Sequence, residues 1–212
     1  MSTIVLDELR EAVAEGQAKV AVAKVSQGLA DGIPAGTLLQ DGRIAAMKQV
    51  GQLYEEGEIF VPEMLVAARA MSAALAVLKP KLVAQGVASI GKVAIGTVQG
   101  DLHDIGKNLV AMMLEGSGYE IEDLGVDVPP AKFIAAIEGG ATVIAMSALL
   151  TTTMTNMAAT IAAIEAAGLR SKARIIIGGA PITKAYADEI GADGYATDAS
   201  SAVRMLHELL VA

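Results

Sequence analysis

The feature of this 212-residue chain that most limits its fold is a regular alternation of short apolar runs and helical patterns after Gly86. Five runs rich in aliphatic residues each precede a segment with helical periodicity. These runs are Lys92 to Gly96, Tyr119 to Leu124, Thr142 to Ser147, Arg174 to Ile177 and Gly194 to Ala196. Strands that alternate with helices predict a doubly wound, flavodoxin-like or Rossmann-like α/β domain with a parallel five-stranded sheet.

The N-terminal part has a different pattern, in which apolar residues recur at steps of three and four. Three breaks, at Gly16, at Gly32 to Pro34 and near Gly57, divide it into four helical segments. Pro80 lies in the last segment, and we expect it to kink that helix or to end it early. Because short connections favour an antiparallel bundle, we predict a four-helix bundle cap over residues 1–86 and an α/β domain over residues 87–212.

Composition limits the chemistry that the side chains of this chain can perform alone. The chain has no cysteine, which excludes disulfides, thiolate zinc sites, iron–sulfur clusters and a nucleophilic thiol. His103 and His207 are the only histidines, too few for a three-histidine zinc site. The formal net charge is −8, and no basic cluster interrupts the acidic balance. Nucleic acid is therefore not an expected partner.

The sequence has no pattern typical of export or of membrane insertion. Its first residues include acids and lack a basic region followed by a long apolar one, so they do not resemble a signal peptide. Uninterrupted apolar stretches such as Ala73 to Leu78 and Val143 to Met146 fall short of the roughly 20 residues that span a bilayer. We expect a cytoplasmic protein without a membrane partner.

The loop after the first predicted strand carries the residues best suited to bind a metal ion. Ligands of doubly wound sheets bind beyond the carboxyl ends of the strands, and here Asp101 precedes His103 by two residues. Such a carboxylate can hold one ring nitrogen and leave the other for a metal. The same residues also suit a plain helix start, with Asp101 or Asp104 as the cap and a solvated histidine. A phosphate loop at Gly96 and Gly100 is only weakly indicated, because Gly-Lys-Ser/Thr is missing.

The segments Asp101 to Gly106, Ser147 to Leu149 and Gly178-Gly179 form three motifs. Together they resemble those of cobalamin-binding proteins of the methionine synthase type. Asp101-Leu102-His103-Asp104-Ile105-Gly106 matches the Asp-x-His-x-x-Gly signature of that family. Ser147-Ala148-Leu149 matches its Ser-x-Leu element, and Gly178-Gly179 matches its Gly-Gly element, in the family's order. Residues 47–64 are similar to the helical cap that precedes the cobalamin domain, so the resemblance covers nearly the whole chain.

This resemblance implies that the chain binds cobalamin, with His103 as the lower ligand of the cobalt. Asp101 would accept a hydrogen bond from His103, and Thr153 stands where methionine synthase has a serine that completes the relay. Other residues are implied to line the corrinoid and its buried nucleotide tail: Gly100, Leu102, Asp104, Gly106, Ser147, Leu149, Thr151, Gly178, Gly179 and Ala199.

The resemblance also implies the function of a corrinoid protein in a methyltransferase system. The chain would accept a methyl group on Co(I) from a substrate-specific methyltransferase of the O-demethylase or methylamine type. It would pass the group from methyl-Co(III) to a second methyltransferase acting on tetrahydrofolate or coenzyme M, and a reductive activator would be a further partner. The chain would be a carrier and not an enzyme on its own. Phe60, Met64 and Leu65 are candidates to shield the methyl-bearing face, although they also suit the core of the bundle.

Three other functions share parts of this pattern. The cobalamin-binding subunit of a mutase would hold the cofactor in the same way, but such small subunits ordinarily lack a helical cap. A cobalamin-sensing regulator has a similar cap but needs a DNA-binding domain, for which this acidic chain offers no basic surface. A flavodoxin-like module without cobalamin would leave the coincidence of the three motifs unexplained.

Overall fold

A computed structural model describes residues 2–86 and 89–211 of the chain. The chain separates into two compact units, of which the first comprises Met1–Ser89 and Glu115–Gly118. The second comprises Ile90–Leu114 and Tyr119–Ala212. The predicted boundary after residue 86 adjoins Val87 and Ala88, which lie outside the described residues. The division into a cap over residues 1–86 and a cobalamin domain over residues 87–212 stays a prediction.

The first unit is helical, as the apolar steps of three and four residues predict. Its helices are α1 (Ser2–Ala14), α2 (Ala18–Ala30), α3 (Ala35–Thr37), α4 (Ala45–Glu55) and α5 (Val61–Ala84), with a π-helical segment over Leu38–Ile44 between α3 and α4. Because α3, the π-helical segment and α4 follow one another without a gap, they correspond to the third predicted helix. The prediction of four helical segments is confirmed.

Helix α5 supplies much of the core of this unit. Its buried face consists of alanine, methionine and leucine side chains: Met64, Ala67, Ala68, Ala70, Met71, Ala74, Leu78 and Leu82. By length and composition alone this helix could cross a membrane, and a buried core helix passes the same test. Met64 is fully buried, which places it in the bundle core, whereas Phe60 is exposed. Pro80 does not end the helix early, because α5 continues to Ala84.

The second unit is the predicted α/β domain. Its strands are β1 (Lys92–Val98), β2 (Glu120–Val128), β3 (Val143–Ser147), β4 (Arg174–Gly178) and β5 (Gly194–Ala196). They form a parallel sheet in the order β2-β1-β3-β4-β5. The helices are α6 (Ile105–Gly116), α7 (Pro130–Glu138), α8 (Thr151–Ala166), α9 (Lys184–Glu189) and α10 (Ala199–Val211). The doubly wound fold is confirmed.

Both faces of the sheet are buried, as the nearly continuous apolar runs of the central strands predict. On one face, Ile144 and Ile175 belong to a core cluster with Phe133 of α7 and Met157 of α8. On the other face, Val143 belongs to a cluster that includes side chains of α6 and α10. The sheet is therefore a rigid support for the loops at its edge.

Strand β2 is longer than the sequence predicts, since it runs to Val128 and not to Leu124. Its pairing with β1 shifts register twice. Ile95 pairs with Asp123 and Val98 pairs with Val128, so three residues along β1 correspond to five along β2. Such bulges bend a strand and redirect its side chains. They bring the end of β2 against the loop that follows β1.

The order of the strands places two loops at the switch point of the sheet. From β1 the chain passes to β2 on one side, and it then crosses to β3 on the other side of β1. Ligands of open α/β sheets bind at this point, beyond the carboxyl ends of the strands. The loop after β1 and the loop after β3 meet there, and they contain Asp101, His103 and Leu149.

Candidate functional site

The centre of the site is the carboxylate of Asp101, which is fully buried. Its Oδ1 accepts hydrogen bonds from the backbone N of His103 at 3.1 Å and from the ring Nδ1 of His103 at 2.7 Å. Its Oδ2 accepts from Leu149 N at 2.8 Å, from Leu150 N at 3.3 Å and from Thr153 Oγ1 at 2.6 Å. Hydrogen bonds thus join Thr153, Asp101 and His103 in a relay, to which the loops after β1 and β3 both contribute, and the function of this relay stays a prediction.

The surroundings of Asp101 keep it ionised. Burial alone would raise its pKa, but the hydrogen bonds from Thr153, from the Leu149 amide and from His103 outweigh burial. They hold the pKa of Asp101 well below its ordinary value. Thr153 Oγ1 also lies 3.0 Å from Leu150 O, yet it has one hydrogen, which goes to the closer and charged acceptor. The Leu149 and Leu150 amides precede α8, where the helix dipole also favours a negative charge.

The orientation of His103 leaves one ring nitrogen available. An ionised carboxylate only accepts hydrogen bonds, so Nδ1 carries the hydrogen and Nε2 has the lone pair. Within the described residues no hydrogen bond to Nε2 is found, and the side chain is 51% exposed. Asp104, whose carboxylate accepts from Asn108 Nδ2 at 3.0 Å, stands at the start of α6. Asp101 therefore holds the histidine and does not cap the helix.

The surface around His103 is apolar. Leu102 and Ile105 are 69% and 79% exposed, and Leu149 and Leu150 are each 43% exposed. Large apolar side chains exposed together beside a polar ligand are typical of a binding surface. Their chemistry fits a broad, largely hydrocarbon macrocycle whose central metal meets Nε2 of His103. The residues present therefore fit a corrin ring.

The predicted residues at the other strand ends occupy neighbouring positions. Ser147, half-buried at the end of β3, pairs with Thr97 on one side and with Gly178 on the other. Gly179 has a φ of +135°, and a Cβ atom there would lie 1.9 Å from Ala148 O. The fold itself thus requires a glycine at this position. The role of these residues in holding a nucleotide tail stays a prediction.

The remaining predicted residues differ in their accessibility. Thr151, the first residue of α8, is exposed, and Ala199, the first residue of α10, is buried. Gly100 has a φ of +82°, which favours glycine in that turn. A Cβ atom on Gly106 would meet nothing within 4 Å, so the fold does not require this glycine. A close-lying ligand would explain it.

Several residues that hold the His103 loop escaped the sequence analysis. Thr97 Oγ1 donates to His103 O at 2.9 Å, and Asn156 Nδ2 donates to Gln99 O at 2.7 Å. Asp127 Oδ1 accepts from Gly100 N at 2.7 Å. Asn156 follows Thr153 by three residues on α8, so helical periodicity could have placed both on one face. The contact of Asp127 depends on the bulges in β2, for which we recognised no signal.

A further unpredicted pair ties α6 to β2. Lys107 Nζ lies 2.6 Å and 2.7 Å from the two carboxylate oxygens of Asp123, and the lysine side chain is almost fully buried. Asp123 Oδ1 also accepts from Gly125 N at 2.9 Å. A buried lysine needs such a partner, because an unpaired buried charge is costly. The pair anchors the first turn of the helix that follows His103.

Comparison with known proteins identifies the family. Residues 91–204 and residues 5–79 match two families, each described as a B12 binding domain. A corrinoid protein of Desulfitobacterium hafniense (strain Y51) is 40% identical over 210 residues, which cover 97% of both chains. Dimethylamine corrinoid protein 3 of Methanosarcina acetivorans is 41% identical over 207 residues, again 97% of both chains.

Solved structures agree with the sequence relatives. A cobalamin-binding protein from Desulfitobacterium hafniense DCB-2 has a TM-score of 0.79 and 30% identity, with 96% of this chain and 97% of that chain covered. The methanol:cobalamin methyltransferase complex MtaBC from Methanosarcina barkeri has a TM-score of 0.85 and 27% identity, with 98% of this chain and 80% of that chain covered. Fold, site and relatives agree, and the chain belongs to the B12-binding family of corrinoid proteins.

Proposed function

We propose that this protein is a methyl carrier that binds cobalamin through Nε2 of His103 and serves two methyltransferases. The observation that carries the proposal is the Thr153–Asp101–His103 relay, which leaves Nε2 available on an apolar surface. When bound, the cobalt supplies a centre that takes up and releases a methyl group. The protein supplies the axial ligand, the apolar support and the surfaces that partners meet.

The relay has two tasks in this proposal. Asp101 fixes the tautomer and the direction of the His103 ring through the 2.7 Å contact with Nδ1, so that Nε2 is ready to bind a metal. Thr153 keeps Asp101 ionised and in place through its 2.6 Å hydrogen bond.

The residues around the relay form the rest of the proposed site. Leu102, Ile105, Leu149 and Leu150, whose side chains are exposed beside His103, would give the macrocycle an apolar support. Residues at the ends of β3 and β4 and at the starts of α8 and α10 would receive the nucleotide tail: Ser147, Thr151, Gly178, Gly179 and Ala199. Of the residues predicted to shield the methyl-bearing face, Phe60 has an exposed phenyl ring, whereas Met64 is buried within its own unit.

The proposed function also includes the partner enzymes that donate and accept the methyl group. The relatives include dimethylamine and trimethylamine corrinoid proteins, which supports a methylamine methyltransferase as the donor. An O-demethylase remains the second candidate. The acceptor is a methyltransferase acting on tetrahydrofolate or coenzyme M, a reductive activator maintains the corrinoid, and the system operates in the cytoplasm. The match over residues 5–79 favours this carrier over a mutase subunit, which ordinarily lacks the helical unit.

Methyl transfer tests this proposal directly. The protein is loaded with cobalamin, reduced to the Co(I) form and mixed with one purified methyltransferase and its methyl donor at a time. We expect rapid loss of the Co(I) absorption with a methylamine methyltransferase and its methylamine, and no loss without the donor. Loaded protein that accepts no methyl group from any methylamine, methanol or aryl ether system would contradict the carrier function.

A further inference from the structure

Asp127 has an unusual backbone conformation at the edge of the site. Its φ is +51°, the one positive value for a non-glycine residue among the described residues. Aspartate tolerates this left-handed conformation better than most residues, but such strain persists only where the surroundings hold it. Asp127 lies within the bulged end of β2, and its side chain is exposed. The strain therefore does not serve to bury an apolar group.

Two hydrogen bonds connect Asp127 to the loop that carries His103. The carboxylate Oδ1 of Asp127 accepts from Gly100 N at 2.7 Å, and Asp127 N donates to Asp101 O at 3.0 Å. Asp101 N in turn donates to Val98 O at 3.1 Å, which closes a tight turn at Gly100. Asp127 thus binds this two-residue segment at both ends, at the amide of Gly100 and at the carbonyl oxygen of Asp101. We call this pair of hydrogen bonds the clamp.

Other side chains also bind the loop that carries His103, but at other backbone atoms. Thr97 holds the carbonyl oxygen of His103, and Asn156 holds the carbonyl oxygen of Gln99. Within the described residues, Asp127 is the side chain that holds the Gly100 amide. The direction of the His103 ring depends on the Asp101 carboxylate, and the backbone position of Asp101 depends on Asp127.

We propose that Asp127 is a positioning residue, which sets the backbone of Asp101 so that the relay presents Nε2 of His103 to the cobalt. The inference rests on the proposed function, because it takes His103 as the axial ligand. A clamp that used only its carboxylate would not need a positive φ. Here the left-handed backbone lets the amide and the carboxylate of one residue bind the same turn.

Two substitutions separate the clamp from general stability. Asp127→Gly adopts a φ of +51° without strain but lacks the carboxylate acceptor. Asp127→Asn tolerates the left-handed backbone and keeps an acceptor oxygen. Glu122→Gln is the matched control, because it removes an acid from the same strand, where Glu122 pairs with Lys92 away from the loop.

The axial ligand can be identified by electron paramagnetic resonance of 15N-labelled protein loaded with unlabelled Co(II) cobalamin. A protein nitrogen splits the cobalt lines into doublets, whereas the cofactor's own base splits them into triplets. We expect doublets for the unsubstituted protein, Asp127→Asn and Glu122→Gln, and a loss of at least half of the doublet intensity for Asp127→Gly. In cofactor-free Asp127→Gly, exchange of the Gly100 amide hydrogen should be about tenfold faster, with an unchanged thermal unfolding midpoint.

The outcomes distinguish this inference from the proposed function. Full doublets in Asp127→Gly would overturn the clamp and leave His103 as the ligand. Triplets in the unsubstituted protein would overturn the ligand assignment, and the inference with it.

Discussion

At the scale of single residues, the site is built around one buried carboxylate with five hydrogen-bond donors. Asp101 links the loops after β1 and β3, so it organises the site before any cofactor arrives. A pre-formed ligand geometry reduces the entropy that binding must overcome.

Thr153 offers a direct test of this network. Thr153→Val keeps the shape of the side chain but removes the hydroxyl, which leaves a buried carboxylate oxygen short of its 2.6 Å donor. We expect the free energy of unfolding of the cofactor-free protein to fall by about 1–3 kcal/mol, measured by urea denaturation. Thr153→Ser keeps the donor and should lose only about 1 kcal/mol for the missing methyl group. A Thr153→Val protein as stable as the unsubstituted protein would show that the hydroxyl contributes nothing to stability.

His103 should be important for the cofactor and unimportant for the fold. Its side chain is half exposed, so His103→Ala should leave the thermal unfolding midpoint of the cofactor-free protein within a few degrees. The visible spectrum of bound cobalamin should shift from the histidine-bound to the ligand-free form. His207→Ala on the exposed side of α10 is the matched control and should leave the spectrum unchanged. An unaltered spectrum in His103→Ala would remove His103 from the cobalt.

The residue-scale interactions were only partly predictable from the sequence. Asp101 and His103 are two positions apart, so their pairing follows from local spacing. Thr153 lies 52 positions from Asp101, and only the family resemblance connected them. Asp127 depends on a strained φ and on two register shifts, which arise from tertiary pairing and not from local preference.

At the scale of helices and strands, the fold requires one of two glycines in the site and does not require the other. A Cβ atom on Gly179 would overlap Ala148 O, whereas a Cβ atom on Gly106 would meet open space. We expect Gly179→Ala to destabilise the fold by about 3 kcal/mol or more. Gly106→Ala should keep or slightly raise stability, because alanine favours helices, but should weaken cobalamin binding by about tenfold, or about 1.4 kcal/mol. Calorimetry of unfolding and of binding checks both.

Each of these two predictions has an outcome that would contradict it. If Gly106→Ala binds cobalamin as tightly as the unsubstituted protein, no ligand lies against this turn of α6. If Gly179→Ala folds normally, the close approach of β4 to Ala148 adjusts at little cost.

At the start of α10, the ionisation of Asp198 should make the stability of the fold depend on pH. Asp198 Oδ1 accepts from Ser201 N at 2.8 Å, and Oδ2 accepts from Thr197 Oγ1 at 2.8 Å. Burial would raise the pKa of Asp198, but these hydrogen bonds outweigh it and lower that pKa. Because the folded pKa lies below the unfolded value of about 3.9, the ionised group stabilises the fold above that pH and loses this effect as the pH falls.

Asp198→Asn separates the charge from the cap, since asparagine also caps helices. The unsubstituted protein should be more stable than the variant at about pH 6, and the difference should shrink toward about pH 3. Urea denaturation of the cofactor-free proteins at both values measures it. A difference that stays constant with pH would mean that the charge of Asp198 does not stabilise α10.

Most elements followed from periodicity, and the exceptions have physical reasons. Strand β2 exceeds its predicted end at Leu124 because the pairing with β1 tolerates bulges between Asp123 and Val128. Helix α5 passes through Pro80, since the buried contacts of Leu78 and Leu82 on either side hold the helix together. In both cases tertiary packing overrides a local preference.

At the scale of the whole molecule, the sequence predicted the architecture more securely than the chemistry. The alternation of strands and helices after residue 86 and the apolar steps before it follow from burial alone. Cobalamin did not follow from those patterns. One histidine and one carboxylate suit many metals, so the cofactor came from the three motifs and was confirmed by the family. The methyl donor depends on a partner surface that no residue pattern identified.

In the proposed function, Nε2 of His103 binds the cobalt of cobalamin, and the relay that positions it already exists in the cofactor-free chain. A crystal structure of the protein with cobalamin tests this most directly. We predict that Nε2 of His103 coordinates the cobalt, that the cofactor's own base is displaced toward the ends of β3 and β4, and that Asp101 keeps its bonds to His103 and Thr153. Cobalamin bound with its own base still on the cobalt, or bound away from His103, would contradict the account.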